Sequence, residues 1–307
     1  METMQDLVKR VKGNGKPKLA VAVAQEKSVL SAVYSAYQEG IADSILVGDK
    51  KKIESLLEDM NMDCNVFEIV NVDGDLQQQA EKAVELISKG QAQVLMKGMV
   101  DTSILLKTLL RKEYNLRTGR AMSSIAVVDS PFYHKLLLIT DPAMNIRPDL
   151  ATKKQIVENA VEVARNLGMN NPKTAILCAK EKVNEKMPET LDAAELVKMN
   201  EEGEIKGCII GGPLALDNIV SKDAADLKGI DHPVAGDADI IVVPDLVSGN
   251  TLYKSMAFLS KVKSAGVIQG AKVPIVVTSR ADSEEDKLYS IALAALVAKF
   301  KKEGAIL

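Results

Sequence analysis

The stretch Leu19-Ala-Val-Ala-Val23-Ala-Gln-Glu-Lys27-Ser-Val-Leu-Ser-Ala-Val33-Tyr-Ser-Ala-Tyr37-Gln-Glu-Gly40 sets the pattern for the whole chain. Its first five residues are a continuous apolar run of strand length. From Lys27 to Glu39 the apolar positions Val29, Leu30, Val33 and Tyr37 recur at helical spacing, and Gly40 ends the helix. A short charged helix (3–12) and the Gly13-Asn14-Gly15 break come before it. After it the unit repeats, with strands over 44–47, 66–70 and 93–96 and helices over 49–59, 75–89 and 101–112. Short strands alternating with helices of this length are the pattern of βαβ units and a parallel sheet.

The middle of the chain breaks this rhythm. Ala121-Met-Ser-Ser-Ile-Ala-Val-Val-Asp129 and Lys135-Leu-Leu-Leu-Ile-Thr-Asp141 read as two strands joined only by Ser-Pro-Phe-Tyr-His. That is too short for a helical crossover, so the pair is expected to be antiparallel. Alternation then resumes with helix 149–167, strand 173–178, helix 189–200 and strand 206–210, and Gly211-Gly212-Pro213 reads as a sharp turn. Helix 221–227, strand 238–243 and helix 250–264 follow, then a closing strand (Val273–Val277) and a closing helix (284–301). The expected fold class is α/β, with two doubly wound lobes and the second beginning near residue 131.

Composition narrows the function classes. An apolar fraction of 47% supports a packed core and excludes a disordered chain. A net charge of −3 with interspersed signs gives no electrostatic basis for nucleic acid or a membrane surface as partner. Cys64, Cys178 and Cys208 are odd in number and widely spaced, so they are expected to be free thiols. The N-terminus lacks a signal-peptide pattern and no run has the length of a bilayer span, so a cytoplasmic location is expected.

In doubly wound sheets, ligands bind beyond the carboxyl ends of strands. That selects the loops at 97–102, 140–145, 244–251 and 278–286. The phosphate-binding Gly-x-x-x-x-Gly-Lys-Ser/Thr and the dinucleotide Gly-x-Gly-x-x-Gly are absent in the required context, as is a Gly-x-Ser-x-Gly elbow. His134 and His232 lack metal-ligand spacing, so no metal site is expected. The closing strand ends at Thr278-Ser279-Arg280, and Asp282 or Ser283 can cap the helix that follows. A hydroxyl and a guanidinium beside a helix N-terminus suit an anion. A purely local alternative has Ser279 and Ser283 serving turn and cap, Ser283-x-x-Asp286 forming a variant capping box, and Arg280 solvated. Ser248, Gly249, Asn250 and Thr251, after the strand ending at Val243, offer donors to a phosphate or an oxyanion, or else form a plain N-cap. Lys97-Gly98-Met-Val-Asp101-Thr102 offers the same strand-end geometry with a cation added. Together these loops suggest chemistry on an anion.

Several stretches resemble the acetyl/butyryl family of phosphate acyltransferases. They are Met122-Ser-Ser-Ile-Ala-Val-Val-Asp, Asp141-Pro-Ala-Met-Asn-Ile-Arg-Pro-Asp149, Gly211-Gly-Pro-Leu-Ala-Leu-Asp217, the run from Ala235 to Lys254, and the closing Ser279-Arg280. The resemblance extends from about residue 90 to the C-terminus. It implies two α/β lobes with a cleft between them, like isocitrate and isopropylmalate dehydrogenases, with the second lobe inserted into the first. The boundaries so implied are 1–130 plus 274–307 for the first domain and 131–273 for the second. A homodimer or larger homo-oligomer is also implied.

By the same resemblance, the reaction is acyl-CoA plus phosphate giving acyl phosphate plus CoA. Both are substrates, and no tightly bound cofactor is implied. Asp286 would exchange the proton of the CoA thiol, Arg280 would hold phosphate or the developing negative charge, and Ser279 would donate to the thioester or tetrahedral oxygen. Lys97, Thr102, Lys107 and Ser248–Thr251 would bind phosphate or CoA. Acetyl-type members carry Ser-Thr-Ala-Asp-Thr after the strand equivalent to the one ending at Lys97, with an arginine just beyond. Here Asp101-Thr102-Ser103 stands in that place and Lys107 near the arginine position. Lysine lacks the bidentate fork. With the compact length, this favours a butyryl or branched-chain type. Acetyl transfer, a metal- and NAD-dependent hydroxyacid dehydrogenase on the same fold, and a non-catalytic ligand sensor are the alternatives.

Overall fold

The computed structural model describes residues 2–13, 15–279 and 282–302. The chain forms two compact units. One comprises Gln5–Arg120 with the chain from Ala265 on, the other Ala121–Ser264 with the residues up to Met4. The breaks therefore stand at 120/121 and 264/265 rather than at 130/131 and 273/274. The first shift has a direct cause: the strand at Ser123–Asp129 pairs with Leu137–Thr140, which fixes it in the unit of its partner.

After α1 (Met4–Val11), the first unit runs β1 (Lys18–Ala22), α2 (Lys27–Gln38), β2 (Asp43–Gly48), α3 (Lys50–Asp59), β3 (Glu68–Asn71), α4 (Leu76–Ser88), β4 (Val94–Lys97) and α5 (Thr102–Leu109). Its strands pair in parallel, in the order β3-β2-β1-β4. Leu19, Ala20, Val21 and Ala22 of β1 are all fully buried, the continuous apolar pattern of a parallel strand covered on both faces. Helix α4 opens with a complete capping box between Asp75 and Gln78, and Asp49 caps α3 by accepting the Lys52 N–H.

The second unit begins with β5 (Ser123–Asp129) and β6 (Leu137–Thr140), which are antiparallel as their short connection requires. It continues with α6 (Leu150–Asn166), β7 (Lys173–Leu177), α7 (Pro188–Glu201), β8 (Ile209–Leu214), α8 (Leu216–Val220), α9 (Lys222–Leu227), β9 (Ile240–Val242) and α10 (Leu246–Lys254). The order is β5-β6-β9-β7-β8. Val128, Leu137, Ile139, Ala175, Ile219 and Ile241 are part of its core. The chain then forms β10 (Lys263–Gln269), β11 (Ile275–Val276) and α11 (Glu284–Lys302). β11 joins the first unit's sheet parallel to β4, and β10 lies antiparallel to β11.

Three local expectations are corrected. Gly211-Gly212-Pro213 is not a turn but lies inside β8. A Cβ on Gly211 would stand 2.6 Å from Nδ1 of His232, and one on Gly212 would stand 2.8 Å from the Ile176 Cβ. These glycines serve close packing, and Pro213 is tolerated because β8 is the last strand of its order. The helix expected over 250–264 starts at Leu246, passes into a π-helical turn at Ser255–Leu259 and gives way to β10. The helix expected over 101–112 stops at Leu109.

Candidate active site

In the first unit, Met96 of β4 is in register with Val276 of β11, and Ala22 of β1 with Lys97. Parallel neighbours about 4.8 Å apart release their loops on the same side. Lys97–Thr102 and Thr278–Ser279 therefore share one carboxyl edge of this sheet.

The loop after β4 is clamped to the end of β1. Gly98 N–H donates to the Ala22 carbonyl at 2.8 Å and Met99 N–H to the Val23 carbonyl at 2.7 Å. A Cβ on Gly98 would lie 2.2 Å from the Val23 oxygen, so no other residue fits without moving backbone. Val23 has φ +59, an outlier for a β-branched residue and a mark of imposed strain at this edge. The clamp sets the path of Lys97, whose Nζ donates to the Gly98 and Val100 carbonyls at 3.0 and 3.3 Å. Gly98→Ala is expected to lower stability by ~1–3 kcal/mol, as over-packing does. Denaturant unfolding checks this, with a lower midpoint and an unchanged m-value expected. Thr102 is the first residue of α5, while Lys107 is exposed in its last turn. At 1.5 Å per residue they stand ~7.5 Å apart along the axis.

The closing corner shows the turn and cap bonds of the local alternative. Ser279 is exposed, and its N–H donates to Asp282 Oδ2 at 2.6 Å. Ser283 caps α11, with its Oγ accepting the Asp286 N–H at 3.0 Å. The same hydroxyl donates to Asp286 Oδ2 at 2.6 Å, so Asp286 is a partner in the cap. Arg280 lies outside the described residues. The start of α11 is braced against α2 by Ser31 Oγ donating to Glu284 Oε2 at 2.8 Å.

Ser248, Gly249, Asn250 and Thr251 belong to the other unit and do not begin their helix. Asp245 caps α10 by accepting the Ser248 N–H at 2.8 Å, and this hydrogen bond holds the Asp245 carboxyl below its ordinary range. A Cβ on Gly249 would lie 3.0 Å from the Pro142 Cα, and Asn250 Nδ2 donates to the Pro142 carbonyl at 3.2 Å. The sequence alone undervalued Asp245 because the helix start was placed too late.

A buried carboxylate went unassigned in the sequence. Asp141, 3% exposed, accepts at Oδ1 from the Ser124 N–H at 2.9 Å and from the Ser124 hydroxyl, and at Oδ2 from the Asn145 N–H and Nδ2 at 3.0 and 2.6 Å. This saturated carboxylate organises the loop against which Gly249 and Asn250 pack. Asp141 and Asn145 lie in one of the stretches that carried the resemblance, which was the available signal.

Asp237 and Asp239 precede β9, and so stand at the amino edge of the second unit's sheet. Lys135 Nζ bonds Asp237 Oδ1 at 2.8 Å and Asp239 Oδ1 at 2.7 Å, His134 Nε2 pairs with Asp237 at 2.8 Å, and Lys173 also reaches Asp237. Burial would raise the Asp237 carboxyl, but the Lys135, Lys173 and His134 hydrogen bonds outweigh it and hold it well below its usual range. A depressed folded pKa contributes stability that is present above the unfolded value near 3.9 and is lost as pH falls through the folded one. Asp237→Asn is thus expected to lower the unfolding midpoint at neutral pH. Its deficit should shrink as pH drops below about 4, measurable by thermal unfolding across pH. Burial pushes the Cys178 thiol up to about 12 and the Cys208 thiol up to about 11, so both stay protonated and unreactive at neutral pH.

Known proteins resemble this chain over nearly its whole length. The family profile described as phosphate acetyl/butaryl transferase matches residues 2–81 and 72–295. A phosphate butyryltransferase of Clostridium acetobutylicum is 48% identical over 97% of this chain and 99% of its own length. A phosphate acetyltransferase of Thermotoga maritima is 46% identical over 96% and 99%. The crystal structure of a branched-chain phosphotransacylase from Enterococcus faecalis superposes with a TM-score of 0.81 at 37% identity, covering 92% of this chain and 99% of that one. A 4-hydroxythreonine-4-phosphate dehydrogenase from Burkholderia phymatum shares the fold at a TM-score of 0.60 and 14% identity. The chain belongs to the phosphate acetyl/butyryl transferase family of enzymes.

Proposed function

We propose that this protein is a phosphate butyryltransferase, acting on butyryl-CoA or a related short or branched acyl-CoA. The observation that carries the reading is the register of β4 with β11, which brings the Lys97 loop and Ser279 to one sheet edge. It is supported by near-full-length identity to a phosphate butyryltransferase.

In this reading a phosphate oxygen attacks the thioester carbonyl carbon. Charge develops on the carbonyl oxygen, Ser279 donates a hydrogen bond to it, and Arg280 holds the phosphate through two N–H groups. The C–S bond then breaks, and the proton given up by the attacking hydrogen phosphate passes by way of the Asp286 carboxylate to the leaving CoA sulfur. In reverse, Asp286 takes the thiol proton. A carboxylate is a weak base for a thiol of pKa near 8.5, so the step relies on positioning and on stabilisation of the thiolate. Two substrates held together react directly, without a covalent enzyme intermediate. Lys97, Thr102 and Lys107 are assigned to phosphate or CoA. The same reading makes acyl-CoA and phosphate substrates rather than resident groups. It assigns the protein to the cytoplasm as a homodimer or larger assembly, and among the described residues no helix is long and apolar enough to cross a membrane.

The acetyl-type alternative draws on the 46% identity to a phosphate acetyltransferase. A series of acyl-CoA thioesters from two to six carbons, assayed for phosphate-dependent thiol release, separates the two. The butyryl reading expects the highest kcat/KM at four carbons or a branched relative. An optimum at acetyl-CoA would replace it, and inactivity across the series would remove both.

A further inference from the structure

Lys287 is among the largest fully buried side chains of the protein, with 1% of its surface exposed. It follows Glu284, Glu285 and Asp286 in the first turns of α11, a place where solvent would serve a lysine better. Two physical terms oppose it there. Removing an ammonium from water is costly unless it is well paired, and a cation near a helix N-terminus faces the positive end of the dipole. Methionine would fill the same length without either cost. The ammonium has one acceptor among the described residues, the Asp282 carbonyl at 2.6 Å. Asp282 is also the residue whose Oδ2 receives the Ser279 N–H at 2.6 Å. Lys287 therefore ties the buried side of α11 to the turn that carries Ser279.

We propose that Lys287 is a positioning residue for the transfer reaction, holding Asp282, and through it Ser279, so that Ser279 meets the substrates in a fixed geometry. This rests on the phosphate acyltransferase reading of the same corner. A buried charge bonded to a main-chain carbonyl suits this role, because it fixes backbone whatever side chain Asp282 presents. Lys287 touches no substrate; it acts through the turn.

Lys287→Met removes the donors and keeps the length. It is expected to lower kcat about 100-fold, the loss that a small misplacement of reacting groups produces, with KM for the acyl-CoA changed much less. The unfolding midpoint should hold or rise, because replacing a buried charge with an apolar side chain of similar size is often neutral or stabilising. Hydrogen exchange, read by mass spectrometry, should accelerate in the peptide spanning Ser279–Asp282 and stay unchanged in the one spanning Ile291–Ala298. Lys287→Gln keeps a donor at shorter reach and should recover part of kcat. It also serves as the test variant if the methionine form does not fold. Unchanged exchange in the turn would overturn the proposal, as would a loss of activity that follows a loss of folded protein. If the wild-type enzyme shows no phosphate-dependent thiol release, the functional reading fails, while the exchange result still decides whether Lys287 orders the turn.

Discussion

Arg280→Ala is expected to lower kcat/KM for phosphate-dependent cleavage of butyryl-CoA by about 100- to 1000-fold, or ~3–4 kcal/mol of transition-state stabilisation. The proposed role makes the reason specific. Phosphate carries negative charge into a reaction that places more on the thioester oxygen and the departing sulfur. A planar guanidinium meets that charge with two parallel N–H groups in a fixed fork. Arg280→Lys separates charge from geometry, since an ammonium keeps the first and loses the second. It should recover only part of the loss, mainly in KM for phosphate. An alanine variant with near-normal kcat/KM would remove Arg280 from the mechanism.

Asp286→Asn is expected to lower kcat by about 100- to 10,000-fold, the range that a positioned acid–base contributes. Asparagine preserves the helix cap. The cap of α11 uses the Asp286 backbone N–H, which asparagine keeps, and the Ser283 hydroxyl donates to a side-chain oxygen that asparagine also presents. Stability should therefore change by less than about 1 kcal/mol, the typical worth of a whole cap. Loss of activity with an unchanged unfolding midpoint would separate proton transfer from capping. A midpoint that falls with full activity would return Asp286 to the cap alone.

Much of this corner was legible before any coordinates. The apolar run Val273–Val277, the cap at Ser283 and the helix beyond it are local signals; the cap and helix stand where those signals put them, while the strand is confined to Ile275–Val276. Features set by distant partners were not legible. Gly211 and Gly212 read as a turn because their need for space comes from His232 and Ile176, far away in sequence. β10 was hidden because the helix expected over 250–264 overran its first residues, and its pairing with β11 is long-range. The helix of Ser248–Thr251 was started too late because Asp245 was not taken as its cap. Lys287 gave no signal at all: after Glu284-Glu285-Asp286 it reads as a solvated charge, and only packing reveals it as buried. The run from Ala235 to Lys254 divides in the structure. Asp237 and Asp239 anchor the amino edge of the sheet, and Ser248–Asn250 belong to the carboxyl end beyond β9.

The central claim is direct acyl transfer from CoA to phosphate, and two-substrate initial-rate kinetics test it most directly. Free thiol is followed while butyryl-CoA and phosphate are each varied. The account predicts thiol release that requires phosphate, with double-reciprocal lines that intersect, as a ternary complex demands. Parallel lines would indicate a covalent acyl-enzyme. Those lines, or thiol release that proceeds without phosphate, would contradict it.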